Sequence, residues 1–106
     1  MVARVTLAEI DPVRQNPKRA IERFESDLIP ALHEQEGYEG CYVLLSEEGK
    51  VVVISLWSSD ATAHASRVSG FYQAQIDKLS DVVFFRAQPG REAYDVVVAE
   101  APVTAG

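Results

Sequence analysis

The sequence predicts a single α+β domain with the element order β-α-β-β-α-β, the ferredoxin-like arrangement of a four-stranded antiparallel sheet with helices on one face. Two apolar segments, 39–46 and 50–57, flank an acidic glycine turn and are typical of a β-hairpin. Segments with helical spacing precede and follow this pair. The 106 residues suffice for one core, so we expect a domain over 1–100 and a mobile tail over 101–106.

The first half of the chain predicts a strand followed by a kinked helix. Residues 2–10 are β-prone and give the first strand. Asn16 and Pro17 are typical of an N-cap and a first helical residue. One apolar stripe then follows at helical steps: Ile21, Phe24, Leu28 and Leu32. Pro30 removes a backbone hydrogen bond, which predicts a kink or a second helical segment before Gly37 ends the helix.

The second half predicts two helical segments and a final strand. A serine, Ser58 or Ser59, is expected to cap the helix after the third strand, and Gly70 marks a break within the helical region. The next helix carries the spaced apolar positions Tyr72, Ile76, Leu79 and Val83. Residues 82–85 read equally well as a helix end or a short strand. Residues 92–99 are expected to form the last strand.

The predicted sheet is apolar on both faces. One face would carry Val51 and Val53 with Cys41, Val43 and Leu45, and the other Val52, Ile54 and Leu56 with Tyr42 and Leu44. A sheet with one solvated face should alternate apolar and polar side chains. We therefore expect a homodimer packed sheet to sheet. The alternative is a monomer whose second face is covered by the tail and residues 84–92.

Composition excludes several classes of partner. The net charge is −6 and no lysine/arginine cluster occurs, so nucleic acid and anionic membrane surfaces are not expected to bind. The most apolar run, 51–56, is far too short for a membrane span. The single cysteine, Cys41, reads as a small buried apolar side chain and, with no signal-like N-terminus, indicates the cytoplasm. No spacing indicates a metal or cofactor site.

Four segments resemble the antibiotic biosynthesis monooxygenase family of dimeric α/β-barrel proteins. They are Leu-Ile-Pro-Ala-Leu at 28–32, Gly-Tyr-Glu-Gly at 37–40, Val-Ile-Ser-Leu-Trp-Ser-Ser-Asp-Ala at 53–61, and Phe-Tyr at 71–72. The resemblance extends over nearly all of residues 2–99. It implies a pocket between the helices and the sheet of each subunit. Some family members there oxygenate aromatic polyketides without metal or flavin, and relatives degrade haem, isomerise lactones or act on signalling molecules.

The resemblance breaks down at a histidine position. Family members often carry a histidine nine residues after the strand tryptophan, but Ser66 stands nine residues after Trp57 and His64 precedes it by two. The haem-degrading branch uses an asparagine in the first strand and a histidine ligand ten residues after the tryptophan. The first strand here lacks asparagine and Arg67 stands at that ligand position, so haem chemistry is not expected.

Four residues are candidates for a site. Trp57 lies at the end of the third strand, as a pocket wall or as a core aromatic. Phe71 and Tyr72 are candidate ligand contacts, Tyr72 either as a hydrogen-bond donor or as a core residue. His64 shares its helical face with Ala61, Ala65 and Val68. Its imidazole is therefore expected to point inward, as a catalytic base or as a structural residue.

The leading functional hypothesis is a cofactor-independent monooxygenase, or a related enzyme, for a small aromatic or polyketide-like substrate. His64 would be the base, Tyr72 a donor to the developing oxyanion and Trp57 a stacking wall. The alternative is a non-catalytic dimeric module that binds a small apolar ligand or a partner protein. Oxygen uptake with anthrone-like substrates separates the two hypotheses.

Overall fold

The computed structural model describes residues 1–11, 13, 15–86 and 93–102. Its elements are β1 Val2–Glu9, α1 Pro17–Arg23, a π-helical turn Phe24–Leu28, α2 Ile29–His33, β2 Tyr38–Leu45, β3 Lys50–Trp57, α3 Asp60–Val68, α4 Phe71–Leu79, β4 Phe84–Arg86 and β5 Ala93–Asp95. The predicted α+β class and element order are confirmed. Residues 82–85 are not helical: α4 ends at Leu79 and β4 begins at Phe84.

The strands form one antiparallel sheet in the order β2-β3-β1-β4. Two short strands pair with β1: β4 pairs with its end and β5 with its beginning. The prediction of a strand through residue 99 is wrong, since residues 96–102 have no regular structure. The amide of Val96 still bonds to the carbonyl of Met1 at 3.0 Å, just before the start of β1. Residues 87–92 and 103–106, and with them most of the expected mobile tail, lie outside the described residues.

The first helical region begins and bends at the expected residues. The Asn16 side chain accepts a hydrogen bond from the Lys18 amide, so Asn16 is the N-cap. Before Pro30 the helix widens into the π-helical turn, in which the Ile29 amide bonds to the Phe24 carbonyl five residues earlier. The expected burial of Ile21 is wrong: Ile21 is 39% exposed. The inward line instead follows steps of four residues: Ala20, Phe24, Leu28 and Leu32.

The second helical region follows local capping signals. Ser59 caps α3 in a reciprocal capping box with Thr62. Gly70 separates α3 from α4 with a φ of +88°. Gly37, just before β2, has a φ of +80°, and an added Cβ there would lie 2.5 Å from the Thr62 side chain. The close approach of α3 to the start of β2 therefore requires glycine at position 37.

The helices cover one face of the sheet. Alternate residues from Val2 to Ile10 and from Val51 to Trp57 point toward them and are buried. The opposite face is the open face: Ala3, Val5, Leu7, Tyr42, Leu44, Val52, Ile54, Leu56, Phe84 and Tyr94. Tyr42 and Phe84 on this face are 53% and 69% exposed. Apolar side chains thus line both faces, and no described segment covers the open one.

Candidate functional site

A cavity lies between the covered face of the sheet and the helices. Its volume is about 50 Å³, which is smaller than the pockets that hold drug-sized ligands, so an aromatic ligand would enter only if the walls move apart. Its walls are Arg4, Thr6, Phe24, Leu28, Leu32, Val53, Ser55, Trp57, Phe71, Tyr72, Gln75, Ile76 and Leu79. β1 and β3 supply the floor, the first helical region one wall and α4 the other.

Trp57 is both a core residue and a wall of the cavity. It is 1% exposed, and its indole Nε1 donates to the Ser55 hydroxyl at 2.9 Å. Tyr38 packs edge-on against the indole with ring centroids 5.9 Å apart. Trp57 is therefore at once a core aromatic and a pocket wall, because one part of a large buried ring can pack against the core while another part borders the cavity.

Tyr72 is held in place by two contacts with β1. Its hydroxyl lies 3.0 Å from the hydroxyl of Thr6. The guanidinium carbon of Arg4 lies 5.0 Å from the centroid of the Tyr72 ring, which is cation–π distance. Phe71 precedes Tyr72 on α4 and also borders the cavity. The structure thus brings the candidate residues Trp57, Phe71 and Tyr72 to one cavity.

Arg4 is a functional candidate that sequence reasoning missed. It is 4% exposed, donates from Nη1 to the Ser66 hydroxyl at 2.9 Å and donates from Nη2 to the Ala63 carbonyl. These bonds fix the guanidinium on the cavity floor, where a positive charge in low dielectric acts strongly on a neighbouring anion. The sequence did carry a signal: Arg4 stands two residues from Val2 and from Thr6, so all three side chains point to the same face of β1.

Gln75 is a second missed residue. It is 7% exposed, borders the cavity, and its Oε1 atom is buried without a hydrogen-bond partner among the described residues. It lies three residues after Tyr72 on α4, so the two side chains share a helical face. A glutamine inside that otherwise apolar helical stripe was the signal in the sequence.

The expectation that His64 points into the pocket is wrong. His64 is exposed, as are the residues of its helical face, Ala61, Ala65 and Val68. α3 buries Ala63 and Ser66 instead, the two residues to which Arg4 is bonded. This short helix has small residues on several of its sides, so the sequence pattern did not determine which side faces the sheet. Among the described residues that line the cavity there is no imidazole or carboxylate.

Cys41 has no features of a nucleophile. It lies on the covered face of β2, where it packs against the core. Burial raises the pKa of its thiol to about 11, so the unreactive protonated form dominates at neutral pH. The sequence predicted a small buried apolar side chain, and the structure places Cys41 only partly buried against the core.

Comparison with known proteins shows the fold. No protein-family model matches the sequence, and no curated protein is significantly similar to it. SnoaB, a cofactor-independent oxygenase from Streptomyces nogalater, has a solved structure that is 11% identical, with a TM-score of 0.69 over 95% of this chain and 97% of that one. The monooxygenase from the gene ActVA-Orf6 of Streptomyces coelicolor, in complex with nanaomycin D, is 18% identical, with a TM-score of 0.68 over 96% and 92%.

A third similar structure has no assigned activity. It is the NE2512 protein of unknown function from Nitrosomonas europaea, 16% identical, with a TM-score of 0.66 over 97% of this chain and 95% of that one. These identities are too low to transfer residue roles, so the shared feature is the α+β fold. In the described part of this chain, no helix has the length and apolar character needed to cross a membrane.

Proposed function

We propose that the protein is a cofactor-independent monooxygenase that oxidises a small, electron-rich aromatic substrate in the cavity. The observation that carries the proposal is the cavity's composition, in which aromatic walls surround the buried guanidinium of Arg4. The fold adds support, because two proteins that share it are an oxygenase and a monooxygenase. The ligand of the second, nanaomycin D, is consistent with a polyketide-like substrate class.

The chemistry requires a substrate that is itself a reductant. Ground-state dioxygen reacts readily only with an electron-rich partner, so the substrate must first become an anion. For anthrone, the methylene carbon becomes a carbonyl: one atom of O₂ enters, and the other leaves as water with the two methylene hydrogens. The substrate supplies all the electrons, so the equation balances without flavin or metal.

Arg4 and the aromatic walls fit this chemistry. A fixed guanidinium stabilises negative charge that develops on a substrate oxygen and needs no reorganisation during the reaction. Trp57 and Phe71 would stack on the substrate and exclude water from the anion. The described walls contain no conventional base. The first proton would therefore leave because Arg4 increases the acidity of the bound substrate, and it would pass to water at the side of the cavity that is open to solvent.

The test is oxygen consumption with anthrone and hydroxylated anthrones, without cofactor and in the presence of a chelator. Arg4→Met, which removes the charge and keeps an unbranched chain, should lower kcat/KM by about 10²–10³-fold. Circular dichroism must show that this variant is folded. His64→Ala should retain the wild-type rate. Absent oxygen uptake with all these substrates contradicts the proposal, and a 10²–10⁴-fold loss in His64→Ala, roughly the value of a general base, contradicts this assignment of roles.

A second candidate function is non-catalytic binding of a small aromatic ligand. The observation that favours it is the missing imidazole or carboxylate among the described cavity walls. Binding of anthrone without oxygen uptake would support this function over the oxygenase. Calorimetry and an oxygen electrode used on the same sample distinguish the two.

We further propose that two copies of the chain pack through their open faces. Support comes from the apolar character of that face and from the exposure of large side chains on it, including Leu44 at 48% and Tyr94 at 52%. A second copy offers a matching twisted apolar sheet, and aligned sheets pack about 10 Å apart. Sedimentation as a single subunit at all concentrations would contradict this assembly.

A further inference from the structure

We propose that Gln75 determines ligand specificity by accepting a hydrogen bond from a hydroxyl group of the ligand. The cavity would then select hydroxylated aromatic molecules over apolar molecules of the same shape. The inference rests on the proposed function for the aromatic ligand class, but it concerns binding and does not require that the ligand reacts.

The position of the Gln75 amide supports this role. The residue is 93% buried on the wall of the cavity, since only 7% of its surface is exposed. Its Oε1 atom has no hydrogen-bond partner among the described residues. A buried acceptor without a partner is unfavourable and is uncommon in folded proteins. A ligand donor that enters the cavity would remove this penalty.

The neighbouring polar groups of the cavity already have partners. The Tyr72 hydroxyl is paired with Thr6, and the Trp57 indole donates to Ser55. The guanidinium of Arg4 donates to α3 and has no acceptor capacity. The Gln75 carbonyl oxygen therefore differs from these groups, because it is an acceptor that the surrounding side chains leave unused.

Gln73 on the same helix provides the contrast. It is exposed, and its Nε2 donates to the Asp77 carboxylate at 3.0 Å. Gln73 and Gln75 thus have the same chemistry and nearly the same position in sequence, but only Gln75 borders the cavity. An apolar ligand would leave the Gln75 Oε1 atom without a hydrogen-bond partner, whereas a phenol would donate a hydrogen bond to it.

The experiment compares 1-naphthol with 1-methylnaphthalene, which differ by a hydroxyl in place of a methyl group and are both uncharged at neutral pH. Dissociation constants are measured by isothermal titration calorimetry for the wild type, Gln75→Leu and Gln73→Leu. The wild type and Gln73→Leu should bind 1-naphthol about 5- to 150-fold more tightly than 1-methylnaphthalene. Gln75→Leu should bind the two with equal affinity.

The melting temperature without ligand distinguishes this role from a structural one. If Gln75 only stabilised the fold, its replacement would lower the melting temperature. Gln75→Leu should melt at or above the wild-type temperature, because it removes a buried acceptor without a partner and keeps the side-chain volume. A lower melting temperature would show that Gln75 bonds within the fold and would overturn the inference. Equal wild-type affinities, discrimination that persists in Gln75→Leu, or no binding of 1-naphthol would also overturn it.

Failure of this inference is distinguishable from failure of the oxygenase proposal. Discrimination by Gln75 without oxygen uptake contradicts only the oxygenase. A different result contradicts only the role of Gln75: oxygen uptake with the same kcat/KM for anthrone and its hydroxylated analogues, together with equal affinities for 1-naphthol and 1-methylnaphthalene.

Discussion

In the middle of β1, from Ala3 to Leu7, the two faces of the sheet have the opposite polarity from that expected of an isolated domain. In β1 the residues that point to the helices include Arg4 and Thr6, whereas the opposite face carries Ala3, Val5 and Leu7. A monomer in water would bury the second set and expose the first. The helices thus enclose a cavity with polar groups, and no segment among the described residues covers the opposite, apolar face of the sheet.

This difference corresponds to the two proposals, a ligand site on the covered face and association through the open face. On the covered face, several of the buried polar side chains are hydrogen-bonded to one another, as in the Thr6–Tyr72 and Ser55–Trp57 pairs. Such networks position groups for a ligand and add less stability than an apolar core of equal volume. The open face has the composition of a core, and a second copy would complete it. Substitutions on the two faces should therefore have different consequences.

The largest effect is expected on the covered face, from Val51→Asp. Val51 is 2% exposed and lies within the core. An ionised carboxylate there has no partner, so the free energy of unfolding should fall by about 3–5 kcal/mol. Urea denaturation followed by circular dichroism measures this loss. An unchanged midpoint would show that the β3 residues facing the helices are not in a closed core.

The neighbouring substitution on the open face, Val52→Asp, should act on association. Val52 lies in register with Leu44 and Leu7 on that face. A charge there should raise the dissociation constant of the proposed dimer by about 30-fold or more, while the separated subunit stays folded. Sedimentation at several concentrations measures the constant. If Val52→Asp lowers the free energy of unfolding of the subunit as much as Val51→Asp does, both faces belong to the core of the subunit and the contrast is wrong.

A smaller effect is expected from Cys41 on the covered face of β2. Burial raises its pKa from 9.0 to about 11, so the folded state keeps its proton at a pH where the unfolded state loses it. Stability should therefore be unaffected by this group below pH 9 and should decrease as the pH rises from about 9 to 11. Denaturation midpoints of the wild type and Cys41→Ala across that range isolate the effect. Parallel pH profiles of the two proteins would contradict it.

The elements of the fold were predictable because their signals are local. Asn16 and Ser59 cap helices through side-chain bonds to amides two or three residues away. Pro30 disturbs the backbone within one turn, and the glycine turn joins β2 to β3 without reference to the rest of the chain. The end of the last strand was not predictable in this way. It depends on where its partner β1 begins, which is a contact between distant segments.

The site was only partly predictable. Trp57 and Phe71 were found through the family resemblance, and Tyr72 was found both in that way and from its place on the apolar face of the second predicted helix. His64 was misplaced, because α3 has small residues on several sides and the position of Arg4 determines which side is buried. Arg4 and Gln75 were missed since charged and amide side chains are usually exposed, and only a tertiary cavity makes them internal.

The amino-acid sequence by itself determined the order of strands and helices, their caps and turns, and the apolar character of both sheet faces. These properties follow from backbone preferences and from side-chain alternation, which act over a few residues. Only the tertiary structure decided which face the helices cover, that α3 turns His64 outward, and that Arg4 and Gln75 meet Trp57 at one cavity. Those outcomes depend on packing between segments that are some 60 residues apart, as in the bond from Arg4 to Ser66.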